Sequence, residues 1–261
     1  MKLIKRVIHD LKKYKEFIIY SIITELKVNL TETYLGYIWW LLDPLMYMLV
    51  YILVVSFIFQ RGDKYFPIFV FSALLSWKWS STAITTSTNS IKSRASILHQ
   101  IYIPKFILPL IKNCVHAIYY IFGLVMLFLL LILFKVEITW HIIEFIFVFI
   151  ANFIFLFALG SILAHLGVYF RDINNILAFT LRLIFYLSPG FYGLDMIPKK
   201  FRWIWWVNPF TTFYRSYRNV FLYGKSPLYL ALFIWTLISL SILYLGLKNM
   251  YRYDKNYTKV I

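Results

Sequence analysis

The chain has 261 residues, 61% hydrophobic, 21% aromatic and only 15% charged, whereas soluble domains carry about 25% charged residues. This excludes a soluble globular protein; spans of about 20 residues fit six times and leave no room for an ATP-hydrolysing domain, of whose GxxxxGKS/T phosphate loop there is no copy. The 27 basic against 11 acidic residues suit a membrane rather than nucleic acid, and a single cysteine with scattered histidines excludes an intrachain disulfide and transition-metal chemistry.

In chain order, Ile4, Val7, Ile8, Leu11, Tyr14 and Ile18 recur at helical spacing opposite Lys2, Lys5, Arg6, Lys12, Lys13 and Lys15. The pattern predicts an amphipathic helix on the membrane surface within residues 1–29, not a signal peptide. Apolar runs long enough to span follow at 36–59, 66–88, 107–134, 142–168, 173–190 and 228–247. Asp43-Pro44 inside the first predicts a kink near a polar lumen. Lys78 and the stretch Ser80–Ser90 make the second poor lipid-facing material, so it should face protein or a water-filled path. Arg182 marks the short fifth run in the same way. Gly160, Ala164 and Gly167 give the fourth a small-residue face for close packing, and His165 beside them reads as a packed core histidine. With the N-terminus inside, sixteen Lys and Arg fall on the cytoplasmic side and nine outside. That asymmetry puts both termini, including a 251–261 tail, in the cytoplasm.

Two connections do not read as simple loops. Residues 91–112 contain a short polar-and-apolar stretch ending at Tyr102-Ile103-Pro104, where proline separates it from the next span. A short helix with an exposed apolar face and positive flanks suits docking into a soluble partner; the same pattern fits a plain loop. Residues 191–227 carry 12 aromatics in 37 residues. Pro198 can open one short helix, and Asn208-Pro209 reads as N-cap and first-turn proline of a second, ended by Gly224. Two such helices folded back into the outer leaflet are one reading and an aromatic interfacial belt is the other.

Several motifs resemble one family. Leu26-Lys27-Val28, Leu35-Gly36-Tyr37-Ile38-Trp39 with Pro44, Tyr102-Ile103-Pro104 to Leu108-Pro109-Leu110, Tyr169-Phe170-Arg171-Asp172-Ile173, Leu187-Ser188-Pro189-Gly190-Phe191-Tyr192 with Ile197-Pro198, Asn208-Pro209-Phe210 and Arg218 resemble, in order and spacing, type-2 ABC exporter permeases of lipid-linked polysaccharides. Thr24 and Asn29 stand where basic residues are common in that family. The resemblance implies a transmembrane domain over 30–250 in a bacterial inner or plasma membrane. It also implies a homodimer paired with two copies of a separate ATP-binding subunit, which would hold the ATP and Mg; this chain would carry no cofactor and no catalytic residue. The cargo would be a lipid-diphosphate-linked O-antigen, capsule polysaccharide or teichoic acid. Residues 92–103 would be the coupling helix, with Lys92, Arg94, Ile97, Leu98, His99 and Tyr102 as contacts and no buried role for Lys92 or Arg94. Residues 195–223 would be the outer gate helices, with Phe201, Trp205, Trp206, Phe210, Phe213, Tyr214 and Tyr217.

A sugar polymer needs a wet path on which aromatic faces can stack without fixing it. Tyr37, Trp39, Trp40, Tyr47, Tyr51, Trp77 and Trp79 are candidate linings, each equally suited to a core. A carrier diphosphate would seek cations, and Arg171, Arg182, Arg215 and Arg218 are the candidates. The rival readings are a type-2 exporter of drugs or lipids and a membrane-embedded glycosyl- or acyltransferase. The transferase would need acids or histidines in one pocket, whereas only Asp43 among the acids lies deep in a span.

Overall fold

The computed structural model describes residues 2–31, 34–36, 38–58, 63–193, 196, 198–203 and 207–260. Among the described residues the secondary structure is all helical. Two N-terminal helices, α1 (Lys2–Lys13) and α2 (Lys15–Thr31), precede α3 (Ile38–Ile52), which runs on as a π-helical stretch Leu53–Ile58. Then come α4 (Phe66–Asn89), a 3-10 turn Lys92–Arg94 leading into α5 (Ala95–Gln100), and α6 (Ile107–Leu133). A 3-10 turn Trp140–Glu144 leads into α7 (Phe145–Tyr169), followed by α8 (Ile173–Leu187), α9 (Pro209–Phe221), α10 (Tyr229–Arg252) and α11 (Asp254–Val260).

Among the described residues, four segments are long and apolar enough to cross a membrane, Ile38–Ser56, Ile107–Leu133, Trp140–Tyr169 and Tyr229–Arg252. The other two apolar runs are α4 and α8. With 24 residues, α4 has the length but not the apolarity. It is the centre of the bundle, packed against α3, α6, α7, α8 and α9. Most of its hydroxyls bond inside the helix: Ser80 donates to the Ser76 carbonyl, Thr82 to Lys78, Thr85 to Ser81, Thr86 to Thr82 and Thr88 to Ile84, at 2.6–2.9 Å. Most of the hydroxyls of this polar helix are thereby paired among apolar neighbours, while Ser76 Oγ, Ser87 Oγ and Trp79 Nε1 are buried with no hydrogen-bond partner among the described residues. The fifteen residues of α8 rise only about 22 Å, short of a full crossing.

Close packing comes from the small face of α7. A Cβ on Gly167 would stand 2.2 Å from the Thr88 carbonyl oxygen, and one on Gly160 would stand 2.9 Å from Ser87 Oγ. Hydrogen atoms at these positions let α7 lie directly on the inner half of α4. His165, one turn away, bonds through Nδ1 to the Tyr257 hydroxyl at 2.6 Å and meets the rings of Tyr169 and Tyr253.

The N-terminus departs from the expected single amphipathic face. It is two helices, and Val7, Leu11, Tyr14, Ile18 and Leu26 pack against an inner core with Ile103, Phe106, Ile107 and Tyr257. Ile4 and Ile8 instead point outward. Part of the apolar stripe therefore covers protein, and only the remainder can meet a headgroup region.

The outer segment needs a larger correction. Asn208 caps α9 as expected, its side-chain oxygen accepting from the Phe210 amide at 3.0 Å. However, Phe210, Phe213, Tyr214, Tyr217 and Phe221 are all buried in the main core against α4 and α7. The aromatics of α9 fill the protein rather than the outer leaflet, because the helix is walled on both sides by longer ones. Ahead of it, Lys199–Phe201 form a 3-10 turn with Phe201 exposed; Trp205 and Trp206 lie outside the described residues.

Candidate functional site

A groove of about 400 Å³ opens between α3, α4 and α8. From α3 come Asp43, Pro44, Tyr47 and Tyr51; from α4 Leu74, Trp77, Lys78, Ser81 and Thr82; from α8 Ala178, Leu181, Arg182, Phe185 and Tyr186. The helical period explains the set, since 43–47–51, 74–78–82 and 178–182–186 each run down one face in four-residue steps. The aromatic wall is braced from behind. Tyr51 stacks on Phe191 at 4.9 Å, and Trp77 meets Phe185 and Phe210, each at 5.3 Å. Lys78 Nζ is paired with the Asp43 carboxylate and stands 5.6 Å from the ring centre of Trp40, itself stacked on Tyr119 at 3.9 Å. Toward the inner ends of α4 and α8, Asn89 and Asn174 exchange amide hydrogen bonds of 3.1 and 3.0 Å.

Of the expected channel aromatics, Tyr47, Tyr51 and Trp77 line this groove and Trp40 stands beside it. Trp39 is exposed elsewhere on α3. Trp79 is 1% exposed and sandwiched between Tyr120 and Phe149, so it belongs to the core. Tyr37 lies outside the described residues. From the sequence, Asp43 is expected near a polar lumen and the Lys78 stretch against protein or a water-filled path, but neither is named as a site residue.

The four candidate phosphate contacts separate completely. Arg182 lines the groove. Arg171 is exposed at the α7–α8 turn and Arg215 is half-buried on α9. Arg218 is spoken for: its guanidinium donates to the carbonyls of Phe69 at 3.0 Å, Pro189 at 2.6 Å and Gly190 at 2.5 Å, and lies 3.3 Å above the Phe69 ring. It is 3% exposed and ties the turn after α8 to the start of α4. Asn208 Nδ2 joins the same unit by donating to Ser188 Oγ at 2.8 Å. The sequence motifs around Ser188, Asn208 and Arg218 are thus one hydrogen-bonded structure.

Between α4 and α6, the expected coupling segment is a 3-10 turn, a six-residue helix and an extended stretch at 101–104. Leu98 is buried and Ile97 half-buried, whereas His99, Ile101 and Tyr102 face outward. Arg94, read from sequence as having no buried role, instead bonds Glu25 on α2 at 3.4 Å, where Glu25 also takes Lys112 of α6. Lys92 is half-buried. Tyr102 donates to Asp254 of α11 at 2.6 Å, and Lys105 reaches the same carboxylate at 3.5 Å. Partial burial, then the Asp254 carboxylate, push the Tyr102 phenol up to about 12, so it remains a donor throughout the physiological range. The segment is clamped by α2 and α11 and presents a narrower outer face than its composition implied.

Hydroxyls, ring faces and one charge pair line the groove, and among the described residues no group of His, Cys, Asp and Glu could hold a metal. In a bundle with four membrane-length helices among the described residues, one of which, Ile38–Ser56, lines the groove, this is the construction of a membrane permease. The chain belongs to the ABC-2 type transporter family, whose pattern matches residues 18–222. It is similar to the O-antigen export system permease protein RfbA of Myxococcus xanthus, 29% identical over 224 residues covering 85% of this chain and 86% of that protein. Two O-antigen export system permease proteins RfbA of Klebsiella pneumoniae are 26% and 27% identical, covering 84–88% of this chain and 87–89% of theirs.

Proposed function

We propose that this chain is the transmembrane subunit of an ATP-driven exporter that moves a lipid-linked polysaccharide out of the bacterial cytoplasm. The observation that carries the reading is the end-to-end similarity to O-antigen export permeases, in a chain whose groove offers aromatic faces and hydroxyls. In this reading α3, α4, α6, α7, α8 and α10 are six spans in a bacterial inner or plasma membrane, with both termini cytoplasmic. Two copies join through their membrane faces, and each takes one ATP-binding subunit against residues 92–103. Residues 195–223 form the outer gate. ATP and Mg belong to the partner; binding there shifts the coupling segments, and the bundle responds.

Coexpressed with its cognate ATPase, the chain should copurify as a two-plus-two assembly by native mass spectrometry, and its depletion should cause a lipid-linked glycan to accumulate. The isolated chain should show no ATP turnover. A lone monomer in several mild detergents, together with unchanged glycan export on depletion, would sink the proposal.

The gate assignment has its own test. With Cys114 replaced by serine, single cysteines at Lys199 and Arg202 should react with an impermeant maleimide added outside, and those at Phe213 and Phe221, buried in the core, should not. Labelling only from the cytoplasm overturns the topology.

A further inference from the structure

The charge pair in the groove is placed where a purely structural pair would be a poor choice. Lys78 lies near the middle of α4, about 18 Å along the helix from Phe66, and a charge at such depth is costly unless it is used. Lys78 and Asp43 remain 33% and 35% exposed, so the pair is not sealed as a core ion pair would be. On the facing wall, Arg182 is exposed and, among the described residues, has no ionic partner. The groove therefore holds two cations and one anion, and that anion is the chain's own. Tyr47 adds a phenol hydroxyl beside them.

We propose that the Asp43–Lys78 pair is a displaceable counter-ion: a phosphate-bearing headgroup takes Lys78 from Asp43 and is bracketed on its other side by Arg182. A diphosphate carries more charge than one carboxylate and can accept bidentate hydrogen bonds from the guanidinium, so it competes successfully for the lysine. Asp43 then makes the exchange reversible. Without it, the two cations would repel each other and hold a phosphate too well, whereas a transport site must release what it binds. For the phosphate's carrier, a lipid, this inference rests on the function proposed above.

The pair's two members should respond with opposite sign. The full chain in maltoside micelles can be titrated with farnesyl diphosphate, following tryptophan fluorescence, to which Trp77 in the groove and Trp40 beside it contribute among the chain's nine tryptophans. Saturable quenching is expected, weakened about tenfold by Lys78→Gln and by Arg182→Gln, retained in Lys78→Arg, and tightened severalfold by Asp43→Asn. Thermal melting of each variant identifies any that fail to fold, and Lys78→Arg with Asp43→Asn carries the test if Lys78→Gln is lost. Parallel weakening in Asp43→Asn and Lys78→Gln would make the pair structural and overturn the proposal, as would farnesol binding as tightly as its diphosphate. Equal affinity for inorganic pyrophosphate would overturn the lipid carrier. Failure here with intact two-plus-two assembly and export removes this inference alone; intact diphosphate binding without assembly or export removes the proposed function alone.

Discussion

Replacing Arg218 with leucine should destabilise the permease by about 3 kcal/mol, from three carbonyls losing their donor at about 1 kcal/mol or more each. The carbonyls of Phe69, Pro189 and Gly190 converge on one guanidinium, and leucine offers them nothing. Arg218→Lys should recover only part, because an ammonium cannot present donors along the same three directions as a planar fork. Lys200→Leu, at an exposed position of the same segment, should change stability by less than about 0.5 kcal/mol. Equilibrium unfolding in mixed micelles decides the matter; an Arg218→Leu variant as stable as Lys200→Leu would mean that the three bonds contribute nothing.

Charge reversal at Glu25 should have the second largest effect. Its carboxylate, 15% exposed, receives Lys112 of α6 and Arg94 ahead of α5, so Glu25→Lys brings three cations together and should cost about 2 kcal/mol or more. Adding Lys112→Glu should restore over half of that loss, since the two positions couple directly. If the double variant is no better than the sum of the singles, the pair does not form in the membrane. The same pairing alters how the coupling segment is tested. Reversing Arg94 would disturb α2 as well as any partner, so His99 and Ile101, both outward-facing, are the cleaner positions.

The helices were legible because a bilayer demands long apolar runs, and each such run is a helix here. Interior polar positions were legible for the same reason: Lys78 and Asp43 stood out against apolar neighbours, and both line the groove. What a side chain touches across the fold was not. Arg218 and its carbonyl partners are 28 to 149 residues apart, and a lone arginine among aromatics looks the same whether it meets a phosphate or a turn. Arg94 and Glu25 are 69 residues apart, with no local pattern to join them. The aromatics of α9 failed differently, since an interfacial belt and a core use the same residue types, and only the neighbouring helices decide between them. Trp79 and Trp77 show how close the alternatives run. Two residues apart on α4, one is sealed between Tyr120 and Phe149 and the other lines the groove.

In the proposed export role, the back-bonded hydroxyls of α4 would also govern friction. Ser81 and Thr82, both in the groove, donate to the Lys78 carbonyl at 3.3 and 2.6 Å, so their single hydrogens are committed and only lone pairs face outward. These two hydroxyls accept but do not donate. In the export role proposed above, a chain of sugars, rich in donors, would meet along this strip shallow and interchangeable sites in place of one deep well, and it could slip from one acceptor to the next without first breaking a bond that these hydroxyls supply. Smoothness of this kind is a property of the helix backbone as much as of the side chains, because the carbonyls that take up the hydroxyl hydrogens keep the surface slippery.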